Sequence, residues 1–289
     1  MLRTLPGKRY LHWMHRAYLG LFLAYLATPL LVVAVFAFND SGIPSLPWRG
    51  ATLDWFIGNG SSRTGMLFDR EIAVSMGHSL FVALLVSVLS IVCGTTTAFL
   101  FERYEFRGKR FLYLLMLVPL VIPGVILGIA ILAFSSTLAN GLEAYFDLSV
   151  DALRPGLALV VLGQFSFIAT IAALVISARL RKFDRSLEEA ALNLGASPVT
   201  VLRTITLPFL YPTLVGCGLV AFLMSFENFS TTLMLVGSDA PLMITMFNRM
   251  RQGSTPELNA VSLALMLGSA LLGLAGILAQ RSRPGEQNE

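Results

Sequence analysis

The sequence predicts an all-α polytopic membrane protein with six transmembrane helices, and three observations carry that prediction. Hydrophobic residues make up 55% of the 289 and charged residues 13%, with a mean hydropathy of +0.73, against roughly 45–50% apolar and about 25% charged in soluble domains. Six apolar runs each reach the roughly 20 residues that a helix needs to cross a bilayer. Lys and Arg divide unequally between the two sets of connecting segments, 15 against 6. The net charge of +4 would suit nucleic acid, but its cations cluster at the ends of the apolar runs, where they mark membrane sidedness.

The spans are expected at about 17–38, 79–101, 111–134, 157–177, 209–236 and 259–279. The first follows Arg3, Lys8, Arg9 and Arg16. It is longer than a signal-peptide core, and Phe36, Phe38 and Asn39 follow it in place of a small-residue cleavage site, so it is expected to remain as a span. Positive flanks resist translocation, which assigns the basic side and both termini to the cytoplasm. The opposite side carries its longest loop at 39–78, with Pro44, Pro47, Trp48, Trp55 and Phe56. Tryptophans there seat at headgroup level or meet a partner. Pro119, Pro123 and Gly124 in span 3 remove backbone bonds and bend the helix, either as ordinary packing or to line a pathway. Cys93 and Cys217 lie inside apolar runs and read as small core residues. With no long repeat or low-complexity segment, residues 1–289 are read as a single transmembrane domain.

Catalytic chemistry is not expected. Lys8 and Lys109 each follow a glycine but stand outside any phosphate-cradling frame. His12, His15 and His78 lack metal-ligand spacing. There is no Gly-x-Ser-x-Gly elbow, and the spans lack the paired acids or histidine cluster of an intramembrane enzyme. The chain is therefore expected to hold no metal and no cofactor, and any ATP hydrolysis belongs to another subunit.

Between spans 4 and 5 lies a polar hairpin at 186–208. Ser186 and Glu189 match a Ser-x-x-Glu capping box, so a helix is expected from about Ser186 to Leu194. Gly195 turns it, since glycine takes the left-handed conformation at little cost. Ser197 and Pro198 then supply an N-cap and first-turn proline for a second helix through Val199, Val201, Leu202 and Ile205, with Leu207 and Pro208 leading into span 5. The alternative is an amphipathic loop lying on the lipid surface. Within span 5, Glu227 lies nine residues from the expected outer end, roughly 14 Å deep at about 1.5 Å per residue. A carboxylate there costs on the order of 3 kcal/mol and faces a cavity or a partner. Ser230 and Thr231 are expected to extend its face, and Phe226 and Phe229 offer ring faces to a cation. Glu227 is thus a candidate for a translocation path that attracts a cation, or for a packing bond to a second subunit.

Glu189, Ala190, Ala191, Gly195, Ile205, Leu207 and Pro208, in that spacing, resemble the "EAA" motif of binding-protein-dependent ABC importer permeases. Seven positions at roughly a tenth frequency each make a chance match about one in ten million. The resemblance implies the type I importer permease fold, with the first short helix as a coupling helix seated in a cytoplasmic ATPase through Glu188, Glu189, Ala190, Ala191, Leu194, Gly195, Ala196 and Ser197. Glu189 would face the ATPase, Ala190 and Ala191 would permit close approach, and Gly195 would set the turn. It further implies a bacterial inner-membrane assembly with a second homologous permease, two ABC ATPases that hold ATP and Mg, and a periplasmic or extracellular solute-binding protein. Alternating access would follow ATP-driven closure of the ATPases.

Similarity to the spermidine/putrescine permease subgroup extends over essentially the whole chain, through Arg251, Gly253, Pro256, Glu257, Asn259 and Ala260. Those residues also read as a capping box, Ser254 with Glu257, starting span 6. Arg249, Arg251 and Glu257 become candidates for binding-protein contact, and Glu227, Phe226, Asn228, Ser230 and Thr231 for the substrate path. The expected solute is a small cation such as spermidine or putrescine. Where the subgroup commonly has Ser-Phe-Asp followed by Asp or Glu, this chain has Ser225, Phe226, Glu227 and Asn228. That leaves one acid in place of two and keeps open an amino-acid-like, aminophosphonate or other small organic substrate on the same machinery.

Overall fold

A computed structural model of the chain describes residues 9–281 apart from 45, 61, 62 and 254. Arg3, Lys8 and the Ser254 half of the second capping box lie outside the described residues. Among the described residues six helices are long and apolar enough to cross a membrane: His12–Phe36, Arg70–Arg103, Gly124–Phe146, Leu157–Leu180, Pro198–Phe226 and Pro256–Gly276. In chain order the elements are α1 (Arg9–Phe36), α2 (Asp54–Ile57), the two-stranded hairpin β1 (Asn59–Gly60) and β2 (Arg63–Thr64), α3 (Arg70–Arg103), α4 (Lys109–Val121), α5 (Gly124–Phe146), α6 (Leu157–Leu180), α7 (Ser186–Asn193), α8 (Pro198–Val201), α9 (Leu207–Phe226), α10 (Ser230–Leu235), α11 (Leu242–Gln252) and α12 (Pro256–Arg281).

Two expected spans are corrected. Residues 111–134 form parts of two helices, α4 and α5, because Ile122 is extended (φ −78°, ψ 128°) and Pro123 follows with φ −55° and ψ 135°. A residue before proline is driven out of the helical region, and proline cannot donate the next bond, so this pair breaks the helix where a bend was expected. At 13 residues, α4 is about 20 Å long, short of the roughly 30 Å hydrocarbon layer, and α5 takes the spanning role. The run at 209–236 is likewise interrupted. Helix α9 stops at Phe226, Glu227 caps it (φ −88°, ψ 2°), and α10 starts at Ser230. Ser230 and Thr231 therefore do not extend the Glu227 face. Asn228 Oδ1 accepts the Thr232 N–H (3.3 Å) and hydroxyl (3.1 Å), a local bond that competes with continued helix.

The chain divides into two compact units, Met1–Arg70 with Arg249–Leu267, and Glu71–Asn248 with Gly268–Glu289. In the first, the loop after α1 has a core of its own. Trp55 is buried with Ala37 and Ala260, and its indole N–H donates to the Asn39 carbonyl at 2.9 Å. Arg63 lies 5.1 Å over its ring and pairs with Asp40. Trp55 is thus an anchor of the loop, while Trp48 stays exposed.

The second unit is built around α6, 56% of whose most apolar stretch is buried. Leu159, Val160, Val161 and Ile168 pack with Val82 and Val86 of α3, Ala221 of α9 and Leu235 of α10. A lower cluster joins Ala98, Ala172, Ile176, Leu180, Phe183, Leu210 and Cys217. Small residues set the closest approaches: a Cβ on Gly94 would lie 2.8 Å from that of Ala172, as expected where packing rather than water drives helix association. Helix α10 wedges against α5 and α6 through Gly128 and Gly163. Ser87 Oγ donates to the Gly218 carbonyl (2.8 Å), tying α3 to α9.

Candidate functional site

The polar hairpin begins at α7. The capping residue is Asp184, whose Oδ1 accepts the Ser186 N–H at 2.9 Å, and not Ser186 as the Ser-x-x-Glu pattern suggests. That backbone bond holds the Asp184 carboxyl below its usual range. Glu188 and Glu189 occupy the first turn, where negative charge complements the helix dipole. At the other end Gly195 N–H donates to Leu192 O (3.0 Å), Ala196 N–H donates to Ala191 O (3.0 Å), and Gly195 has φ +89°. This is a Schellman closure, which needs a left-handed residue at that position. Ser197 then accepts the Thr200 N–H (3.2 Å), with Pro198 opening α8. The second arm is not a separate short helix. It runs from α8 through a π turn at Leu202–Thr206 into α9, with Leu207 N–H bonded to Leu202 O. Pro208 cannot donate to residue 204 and its ring crowds that carbonyl, which the wider turn relieves.

Glu188 and Glu189 have different surroundings. Glu188 turns into the bundle, where its Oε1 accepts from Arg103 Nη2 at 2.8 Å and from the Thr206 hydroxyl. Glu189, Ala190, Leu187, Leu192, Asn193, Gly195 and Ser197 are exposed, and Ala191 and Ala196 are half-buried. Leu194 is 89% exposed and Val199 56%, so α7 and the turn carry an apolar ridge that the described residues leave uncovered. Around the inward face, Arg181 pairs with Glu102 at 2.8 Å, which raises the guanidinium's proton affinity, and Arg185 donates to the Glu102 carbonyl. Arg103 lies 5.5 Å from the Phe183 ring, itself edge-on to Phe209 at 5.0 Å. The hairpin is therefore fastened to the end of α3 on one side and open on the other.

A second polar constellation sits at the Glu227–Phe229 break. Gln164 of α6 is 2% exposed; its Nε2 donates to Thr232 Oγ1 at 2.8 Å, and its Oε1 accepts from Ser225 Oγ. Thr232 passes its own proton on to Asn228, giving a relay from Ser225 to Asn228 that closes over the interruption. Non-helical backbone at membrane depth survives only with such partners or beside a cavity. Gln164 is seven residues into α6, roughly 10 Å along it, so the break lies well inside the span. Glu227 is exposed and accepts from Ser269 Oγ at 3.1 Å. Phe226 is buried against Phe222 (5.9 Å), and Phe229 meets Phe247 (4.9 Å). Ser230 is exposed, while Thr231 is fully buried and donates to Gly124 O at 3.4 Å.

Of the third set, Arg249 bridges Asp69 (2.8 Å) and Glu257 (3.4 Å), with all three side chains at most 21% exposed. Arg251 is exposed, and Gly253 (φ +140°) closes α11. Among the described residues no three His, Cys, Asp or Glu side chains group closely enough to hold a metal. Gln164, Arg103 and Thr206 were not singled out by the sequence. The available signals were a lone amide in an apolar run, a basic residue counted only for sidedness, and a threonine between the fixed positions of the motif.

Residues 87–282 match the family model of the binding-protein-dependent transport system inner membrane component. The chain is 31% identical over 257 residues to the putrescine transport system permease protein PotI of Escherichia coli (strain K12), covering 88% of this chain and 85% of that protein. It is 25% identical over 273 residues to the spermidine/putrescine transport system permease protein PotC of Haemophilus influenzae, covering 93% and 98%. In fold it is similar to a chain of a bacterial ABC transporter involved in the import of the acidic polysaccharide alginate, with a TM-score of 0.76 at 16% identity over 96% of each chain.

Proposed function

Because this chain belongs to the binding-protein-dependent transport system inner membrane components, we propose that it is one of two permease subunits of an ATP-driven importer for a small cationic solute of the spermidine/putrescine kind. It is a multi-pass membrane transport component rather than an enzyme. In the proposed assembly both termini are cytoplasmic, two ATPase subunits hold ATP and Mg, and a solute-binding protein delivers the solute on the outer side. The names of PotI and PotC support the polyamine assignment.

The observation that carries this reading is the two-faced α7, fastened inward through Glu188 and open outward through Leu187, Leu192 and Leu194. A groove in an ATPase supplies the missing cover, with Glu189 at its rim and Ala190 and Ala191 allowing close approach. Closure of the ATPases carries α7, and with it the ends of α3 and α9. The Glu227–Phe229 break lets α9 tilt while α10 stays wedged against α5 and α6, a rocking motion about a site near the midplane. Glu227 meets the ammonium group there, and Arg251 lies on the binding-protein side.

Asn228 favours a second reading of the cargo. Its Oδ1 is committed to Thr232, so Glu227 stands without a neighbouring carboxylate, which suits a single ammonium in an amino-acid-like, aminophosphonate or other small organic solute. The test is uptake by the reconstituted complex with Glu227→Gln. A loss of about tenfold for putrescine supports the cationic path, and unchanged uptake removes Glu227 from it. Preference for a monoamine over putrescine in the wild type selects the second reading.

A further inference from the structure

We infer that Arg103, Glu188 and Thr206 form a latch that makes α7, the end of α3 and the π turn ahead of α9 move as one body. This rests on the importer reading above and assigns to this chain the residues that transmit the movement, as distinct from those that receive it.

One carboxylate oxygen, Glu188 Oε1, takes hydrogen bonds from two different elements: Arg103 Nη2 in the last turn of α3 at 2.8 Å, and Thr206 Oγ1 at the end of the π turn. Exposed ion pairs hold little in place. This one is largely withdrawn from water, with the side chains 14% and 21% exposed, and Thr206 fully buried. Charge-assisted bonds in such surroundings are short and directional. The Arg103 guanidinium also lies over the Phe183 ring, 5.5 Å from its centre, a contact that adds to its restraint.

The rest of α7 offers no comparable grip. None of its residues is buried, and Ser186 and Glu189 are exposed. Arg185 reaches Glu102 from the segment just before α7, but among the described residues Glu188 is the one α7 side chain hydrogen-bonded to both α3 and the turn ahead of α9. A push on the outer ridge then reaches α3 through this one side chain, and α9 both through it and along the backbone of the turn. The π turn suits this use, because a widened turn is the compliant point of an otherwise continuous helix.

The experiment uses Arg103→Met, Thr206→Val and the charge swap Arg103→Glu with Glu188→Arg in the full complex. Each is tested for ATPase capture, basal ATP hydrolysis, and uptake driven by loaded binding protein. A parallel measurement takes spin labels at positions 193 and 107 of the chain, with Cys93→Ser and Cys217→Ala, and reads the width of their distance distribution. Arg103→Met is expected to capture the ATPase as the wild type does but to lose stimulated uptake by about tenfold, with a broadened distribution. The swap recovers both, and Thr206→Val lies between. The latch is overturned if Arg103→Met keeps stimulated uptake and a narrow distribution, if the swap restores neither, or if uptake falls only in proportion to captured ATPase. A wild-type chain that captures no ATPase yet shows a narrow distribution that broadens in Arg103→Met overturns the importer reading and leaves the latch standing.

Discussion

Replacing Gln164 by Leu removes the centre of the buried relay without opening a large cavity, since the two side chains are close in volume. Two bonds are lost, Nε2 to Thr232 at 2.8 Å and Oε1 from Ser225. Inter-helix hydrogen bonds in membranes are worth about 0.6 kcal/mol on average and up to about 1.7, so the pair amounts to roughly 1–3 kcal/mol. The lower half of that range is expected. Ser225 can turn its hydroxyl to the carbonyl four residues earlier, and Thr232 keeps its bond to Asn228. On the scale for domains of 150–250 residues, where 1 kcal/mol is about 2–4 °C, the melting midpoint of the detergent-purified protein falls by roughly 2–8 °C. The decisive measurement is the double-mutant cycle with Ser225→Ala, where a coupling of about 0.6–1.7 kcal/mol is expected. A midpoint within about 1 °C of the wild type together with strictly additive effects would refute the relay as the clasp of the helix break.

Two further outcomes follow from the hairpin. A Cβ at Gly195 meets nothing within 4 Å, so Gly195→Ala isolates the backbone cost of φ +89°, about 1–2 kcal/mol. ATPase capture should weaken by about 5- to 30-fold, and unimpaired capture by Gly195→Val would detach the turn from docking. Asp184 has a lowered pKa because it accepts the Ser186 N–H. Its stabilising contribution is therefore complete above the unfolded value of about 3.9 and is lost as pH falls through the lower folded value. Hydrogen exchange at Ser186 should accordingly be protected to the same degree at neutral and mildly acidic pH and lose that protection only in stronger acid. Asp184→Asn keeps the cap and abolishes the acid step, whereas Asp184→Ala loses protection at every pH.

Hydropathy makes the number of spans legible, because a run such as 157–177 has only one way to hide its backbone in lipid. It does not reveal where a run is broken. Ile122 and Val121 are as apolar as their neighbours, and the proline at 123 can equally kink a helix or end it until the packing partners of α4 and α5 are known. Glu227–Phe229 contains no proline or glycine at all. Its interruption depends on Asn228 capping Thr232 and on an amide supplied from α6, a pairing between residues 68 apart. The hairpin is the opposite case: Gly195, Ser197 and Pro198 act through their own backbone, and the structure uses each as local chemistry suggests. Side-chain direction was the part that local pattern did not settle. Asp184 and Glu189 compete for the Ser186 amide, which Asp184 takes, and which of Glu188 and Glu189 turns inward is decided by Arg103 and Thr206. Trp55 shows the same limit on the other side of the chain, where a boundary tryptophan has folded a loop around itself.

The relay at Gln164 also bears on how the chain is made. Its amide leaves the ribosome well before its partners, Ser225 being 61 and Thr232 68 residues downstream. At about 5–20 residues per second that is a delay of roughly 3–14 s, during which α6 must sit in or beside the insertion machinery with both ends of its amide lacking their final partners. Arrival of α9 and α10 ends that interval, so nascent chains that stop short of Ser225 keep an unclasped polar centre within an apolar helix.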